Sequence, residues 1–104
     1  MLIYADFMKL HDSKGLKLVC QGTFNDLERL GIALRPGMRL TLYNEDEDTK
    51  GNRDDLVVGG VVDFDEEAQI WYAAIDFSAI KNISELSQAE RKDLGIPDWK
   101  THGP

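Results

Sequence analysis

The residues with the plainest capacity for chemistry are carboxylates, and they crowd into one stretch, Asn44-Glu45-Asp46-Glu47-Asp48-Thr49-Lys50-Gly51-Asn52-Arg53-Asp54-Asp55. Counted from Asp46, this stretch follows part of a calcium loop, with Asp46 at the first position, Asp48 at the third and the turn glycine Gly51 at the sixth. The pattern breaks where charge matters most. The fifth position is Lys50, and the twelfth, where a bidentate glutamate should close the shell, is Val57. Asp46, Asp48, Asp54 and Asp55 are the residues a metal would use, but the expectation is a solvated acidic loop that discourages edge-to-edge strand pairing, with no cofactor. Nor does a run of exposed Asp and Glu offer the partly desolvated pocket that a catalytic carboxylate pair needs to separate its pKa values.

Three other groupings invite a chemical reading. Cys20 and His11 could act as nucleophile and base, yet Cys20 shares the strand face of Leu16 and Leu18, which makes it a buried, inert thiol. His102 lies in the terminal tail, and two histidines with one cysteine at these separations form no metal-ligand pattern. Trp71, Tyr72 and Tyr43 could stack on bases or on a proline-rich peptide, but aromatic residues at strand spacing belong first to a core. No catalytic residue is assigned.

The elements that must position these groups are strands. Met38 to Tyr43 alternates, with Met38, Leu40 and Leu42 facing a core and Arg39, Thr41 and Tyr43 facing out. Leu56 to Phe64 places Leu56, Val58, Val62 and Phe64 on one side and Val57 and Val61 on the other, so it reads as more central. Ile70 to Phe77 sets Trp71, Ala73, Ile75 and Phe77 against Ile70, Tyr72 and Ala74. Asp65-Glu66-Glu67-Ala68 suits a hairpin connection between the last two. Gly59-Gly60 inside a strand signals a bulge, a bend or a close backbone approach.

Upstream, Leu2 to Leu10 reads as a first strand, paired across a His11-Asp12-Ser13-Lys14-Gly15 turn with a second strand through Leu16, Leu18 and Cys20. Thr23 with Asp26 three residues on predicts a helix start, Phe24, Leu27 and Leu30 its apolar stripe, and Gly31 its left-handed end. Arg35-Pro36-Gly37-Met38 has the form of a type II turn. Downstream, Ser87-Gln88-Ala89-Glu90 is a capping box, and Gly95 and Pro97 should close the helix it opens. Residues 1–95 are expected to form the domain and 96–104 a frayed tail, although Trp99 is a costly residue to leave in water.

A chain of 104 residues and 11.7 kDa with 42% hydrophobic residues supports one modest core. No apolar run approaches the roughly 20 residues that span a bilayer, and no signal-type N-terminus is present, so a cytoplasmic location is expected. A single cysteine fits a reducing compartment. The net charge of −7 is unevenly placed: +2 over residues 1–43, −8 over 44–67 and −1 over 68–104. Without a concentrated basic footprint, nucleic acid is not an expected partner, nor is a membrane; a protein with a basic surface is.

Asp26-Leu27-Glu28-Arg29, Leu34-Arg35-Pro36-Gly37-Met38-Arg39-Leu40, the acidic loop, Asp54-Asp55-Leu56-Val57-Val58 and Trp71-Tyr72-Ala73-Ala74-Ile75-Asp76 together give a chain that resembles a family of small uncharacterised bacterial proteins. The resemblance covers about residues 3–83 and implies no activity, ligand or residue role. The expected fold is mainly β or α+β: about five strands in a small, strongly curved antiparallel sheet or barrel, a short helix between strands two and three, and a C-terminal helix. The alternative is an open sheet with both helices on one face. The expected function is a non-enzymatic protein-interaction module with an acidic loop, the alternative a small enzyme or ligand-binding domain with its site in the sheet's concavity, and the third a weak calcium-binding loop.

Overall fold

The computed structural model describes residues 2–96. In chain order the elements are β1 (Leu2–Tyr4), β2 (Leu10–His11), β3 (Gly15–Lys17), α1 (Gln21–Leu30), β4 (Arg39–Asn44), β5 (Leu56–Asp65), β6 (Ile70–Ala74), a 3-10 helix Phe77–Ala79, β7 (Lys81–Asn82), a second 3-10 helix Ile83–Glu85, and α2 (Gln88–Leu94). The fold is α+β. Its seven strands among the described residues form one open sheet in the order β1-β4-β5-β6-β3-β2, with β7 alongside β5.

The sheet departs from expectation in strand number, closure and direction. It has seven strands instead of about five, it is not closed into a barrel, and β1 runs parallel to β4, not antiparallel to a neighbour. One cause lies in residues 2–10, which do not make one strand. Asp6 accepts the Met8 amide at 2.9 Å and its carbonyl accepts the Lys9 amide at 2.9 Å, a local turn that ends β1 and starts β2 elsewhere. A second cause is that α1 occupies the outer edge of β1. The Tyr4 amide donates to Asp26 at 2.8 Å, and the Thr23 hydroxyl donates to the Tyr4 carbonyl. With the Tyr4 amide and carbonyl both taken by side chains of α1, that end of the β1 edge is covered by the helix and not by another strand. The predicted hairpin between the first two strands survives only as the pairs Leu10 with Leu16 and His11 with Gly15.

Alternation along the strands builds a core on each face of the sheet. Ile3, Leu42, Val58, Val62 and Ala73 point to one side, where they meet Leu16, Leu18 and Leu27 of α1. Leu2, Tyr43 and Val57 point to the other, where Ile83, Leu86, Leu94 and Ile96 cover them. The two helices lie on opposite faces, not on one. Ile96, read from sequence as the first tail residue, is 8% exposed and packs in this second core. Residues 97–104, with Trp99 and His102, lie outside the described residues. Each fully buried Val, Leu or Ile in these cores contributes about 1.5–3 kcal/mol, so the larger cluster does most to hold the sheet together.

The helices end as their sequence signals require. Gly31 closes α1 at φ 67, with the Ile32 amide returning to the Leu27 carbonyl at 2.9 Å. α1 begins earlier than predicted, at Gln21, with no side chain capping its start; Thr23 and Asp26 lie inside the helix and bond the Tyr4 backbone of β1 instead. Ser87 and Glu90 form the predicted capping box of α2, and Gly95 closes it at φ 71. Gly37 takes φ 86 in a turn closed by the Met38 amide on the Arg35 carbonyl at 3.1 Å, as type II geometry demands.

Candidate functional site

The divided outer edge of β5 organises the surface of most interest. β4 pairs with β5 from Leu56 to Val61, but the other edge of β5 is shared: β7 takes Leu56 and Val57, and β6 takes Val61 to Asp65. Between Ala74 and Lys81 the chain spends six residues, 75–80, opposite the three β5 residues 58–60. That excursion holds the 3-10 helix Phe77–Ala79, capped by Asp76, whose carboxylate accepts the Ser78 amide at 3.0 Å. Gly60 allows the crowding, since a Cβ there would lie 3.1 Å from both the Ala73 methyl and Ile75.

A groove of about 650 Å³ runs beside this interruption, between α2 and the α2-side face of β4, β5 and β6. Its floor is Thr41, Gly59, Val61 and Ala74; its rim carries the carboxylates of Asp76, Glu90 and Asp93 and the cations of Arg39 and Lys92. Thr41, expected to face solvent, is 8% exposed because α2 lies over it and the Leu94 carbonyl accepts its hydroxyl at 2.6 Å. Val61 is 42% exposed and Phe77 37%. Glu90 accepts the Ser87 amide at 2.9 Å and the Lys81 ammonium at 2.9 Å. These bonds, the Ser87 amide first, hold its carboxyl down at about 2. The Ser78 hydroxyl and amide likewise hold Asp76 below the usual carboxylate range.

The acidic loop is folded, and it disperses the four aspartates instead of converging them. Asp48 closes its own turn, accepting the Lys50 and Asn52 amides at 2.8 and 2.9 Å, which lowers its pKa, the Asn52 amide contributing most. Asp46 accepts the Asn82 side chain at 2.9 Å, and Asp54 accepts the Ser84 amide at 3.0 Å as well as its hydroxyl. Asp55, 7% exposed, pairs with Arg53 at 2.9 Å. Among the described residues no three His, Cys, Asp or Glu side chains are gathered as a metal-ligand set. The loop is instead pinned to the second 3-10 helix, with Glu45 and Glu47 exposed around a shallow hollow of about 480 Å³.

The remaining candidates also separate. Cys20 is the N-cap residue of α1 and only partly buried, because the strand it was placed on ends at Lys17. His11 is 6% exposed and meets Asp65, its Nε2 being 2.9 Å from Oδ2, though off the ring N–H direction, so the nitrogen has no aligned acceptor. Its ring lies 4.5 Å from that of Tyr72. The Ala68 and Glu67 amides, then His11, hold Asp65 below the usual range. Trp71 packs edge-on to Phe64 at 4.9 Å and Tyr43 edge-on to Tyr4 at 5.7 Å, so the three aromatics form no common platform.

Sequence reading missed the groove and the His11–Asp65 contact. Gly59-Gly60 was the only local signal of the groove, as a place of close approach, and it could not say which element would lie over it. No helix among the described residues is long and apolar enough to cross a membrane. The chain matches no family model, no curated protein and no solved structure.

Proposed function

We propose that this chain is a non-enzymatic interaction module that recognises a protein with a basic surface. The observation that supports this best is the acidic loop itself, which is folded by the bonds of Asp48, Asp46 and Asp54 and presents Glu45 and Glu47, both exposed, around its hollow. Exposed carboxylates held on a folded loop suit electrostatic recognition, where fixed charges raise the encounter rate and reject partners of like charge. The resemblance to small bacterial proteins is compatible with such a role and adds no residue to it.

The test compares the chain with a variant in which Glu45 and Glu47 are both replaced by Lys, each immobilised and exposed to native cell extract. The wild type should retain a defined basic protein in stoichiometric amount, released as salt rises above about 0.15 M, where the screening length falls below 8 Å. The variant should lose it. Retention of the same set by both, or loss only at chaotropic concentrations, would remove the electrostatic reading.

A further inference from the structure

We propose that the hollow beside α2 is the seat of the chain's own segment beyond Ile96, which straps the helix down with Asp98 accepting from Arg91 and Trp99 covering Ala89 and Ile96.

Arg91 holds a polar group that the described residues leave unsatisfied. Its Nη2 donates to the Ile83 carbonyl at 3.1 Å, but its Nη1 is buried and has no acceptor among the described residues. A guanidinium cannot lose its proton to escape such a position, and a buried charged donor without a partner is costly. A carboxylate is the acceptor that best removes the cost, since it meets the guanidinium with a charge-assisted bond.

The surroundings select the same sign. The hollow, of about 460 Å³, is lined by Gln88, Ala89, Arg91, Lys92 and Ile96. Arg91 and Lys92 are the only charged groups among these, and neither forms an ion pair with a described carboxylate. Gln88, Arg91 and Lys92 stand three and four residues apart in α2, so they share one side of the helix. The occupant that fits joins a carboxylate, for the two cations, to a broad apolar side chain for Ala89, Ile96 and the alkyl stems. An indole suits the second part because its face attracts a guanidinium or an ammonium as well as covering methyl groups.

The chain supplies both within three residues. Ile96 is 8% exposed, packs in the second core and lines the hollow. The Arg91 carbonyl accepts its amide at 2.9 Å, and Gly95, at φ 71, turns the backbone off the helix at that point. The sequence continues Pro97-Asp98-Trp99. At about 3.3–3.6 Å per residue, Asp98 is tethered within roughly 7 Å of the Ile96 backbone and Trp99 within roughly 11 Å. So short a tether holds the two side chains at a high effective concentration beside the hollow, which favours them over the same groups on a separate molecule.

The experiment is nuclear magnetic resonance on the full chain, whose two tryptophans, Trp71 and Trp99, give separate indole signals. Nuclear Overhauser contacts should join the Trp99 ring to the Ala89 methyl and to Ile96, and the Ala89 methyl should move when Trp99→Ala removes the ring current. Deleting residues 97–104 should speed exchange of the Gly95 and Ile96 amides by about tenfold, and Asp98→Asn, which keeps the shape and removes the charge, by about threefold. Asp98→Glu should restore the protection, and Lys100→Ala should leave it unchanged.

A Trp99 ring without contacts to α2 would overturn the strap. Contacts from Trp99 to Val61 or Ala74 would put the segment in the larger groove and overturn this seat. Contacts that grow with protein concentration would assign the hollow to the segment of a second copy and overturn the intramolecular strap. Exchange that responds to the deletion but not to Asp98→Asn would overturn the pairing of Asp98 with Arg91, and the proposal with it.

Discussion

Gly15 lies so close to the neighbouring strand that a Cβ there would stand 1.9 Å from the Ala73 carbonyl oxygen, whereas a Cβ on Gly31 would meet nothing within 4 Å. The two glycines are needed for different reasons, and alanine scanning separates them. Gly15→Ala must push β3 away from β6 and is expected to cost about 3 kcal/mol or more. Gly31→Ala meets no clash but forces a side chain into the left-handed region, at about 1 kcal/mol. Chemical denaturation gives both values, and equal losses would mean that β3 can move away from β6 without cost. Thr41 belongs at this scale too. Its hydroxyl satisfies the Leu94 carbonyl at the end of α2, so Thr41→Val should cost about 1 kcal/mol despite preserving shape, with the loss reported by the amides of α2.

At the scale of the element, α2 is seven residues long and depends on its ends. Glu90 secures the first turn and is bound in return by Ser87 and Lys81. Its carboxyl stands at about 2 in the folded chain against 4.5 for the free group. Between those values the unfolded chain takes up the proton first, so acid favours unfolding. The Glu90 contribution is complete above about pH 4.5 and is lost as pH falls toward about 2. Asp48, Asp65 and Asp76 are lowered as well and add to the same acid limb. Glu90→Gln should therefore lower stability at neutral pH and make the decline over that window shallower. A stability-versus-pH curve of unchanged slope in the variant would show that the Ser87–Glu90–Lys81 contacts do not persist in solution.

The whole molecule is a sheet with a core on each face, and neighbouring residues of β5 report on different sides of it. Val58 and Val57 are 1% and 0% exposed in separate clusters, and Val62 and Val61 are 0% and 42% exposed. Val57→Ala and Val58→Ala should each cost about 2 kcal/mol, since each leaves a cavity in a packed layer. A single-core sheet would make one of them nearly neutral. Val62→Asp buries an unpaired carboxylate and should cost several kcal/mol, whereas Val61→Asp should stay within about 1 kcal/mol. Comparable losses at the two positions would invert the register of β5.

Local signals determined the elements. Alternation placed Leu40, Leu42, Val58, Val62 and Ala73 in the core, and the Ser87–Glu90 box, Gly31, Gly95 and the Pro36-Gly37 turn fell where their backbone chemistry requires, because each depends on neighbours within a few residues. The tertiary structure alone decided what those elements met. Thr23 and Asp26 looked like a helix start and instead bond the backbone of Tyr4 in β1, nineteen and twenty-two residues away. Thr41 looked solvent-facing until α2 covered it. Four aspartates with partial calcium-loop spacing were drawn to separate partners in residues 48–55 and 82–84, and the groove exists only because the chain loops out opposite Gly59. A polar side chain can satisfy its hydrogen bonds locally or across the fold, and only the packed chain settles which partner is within reach.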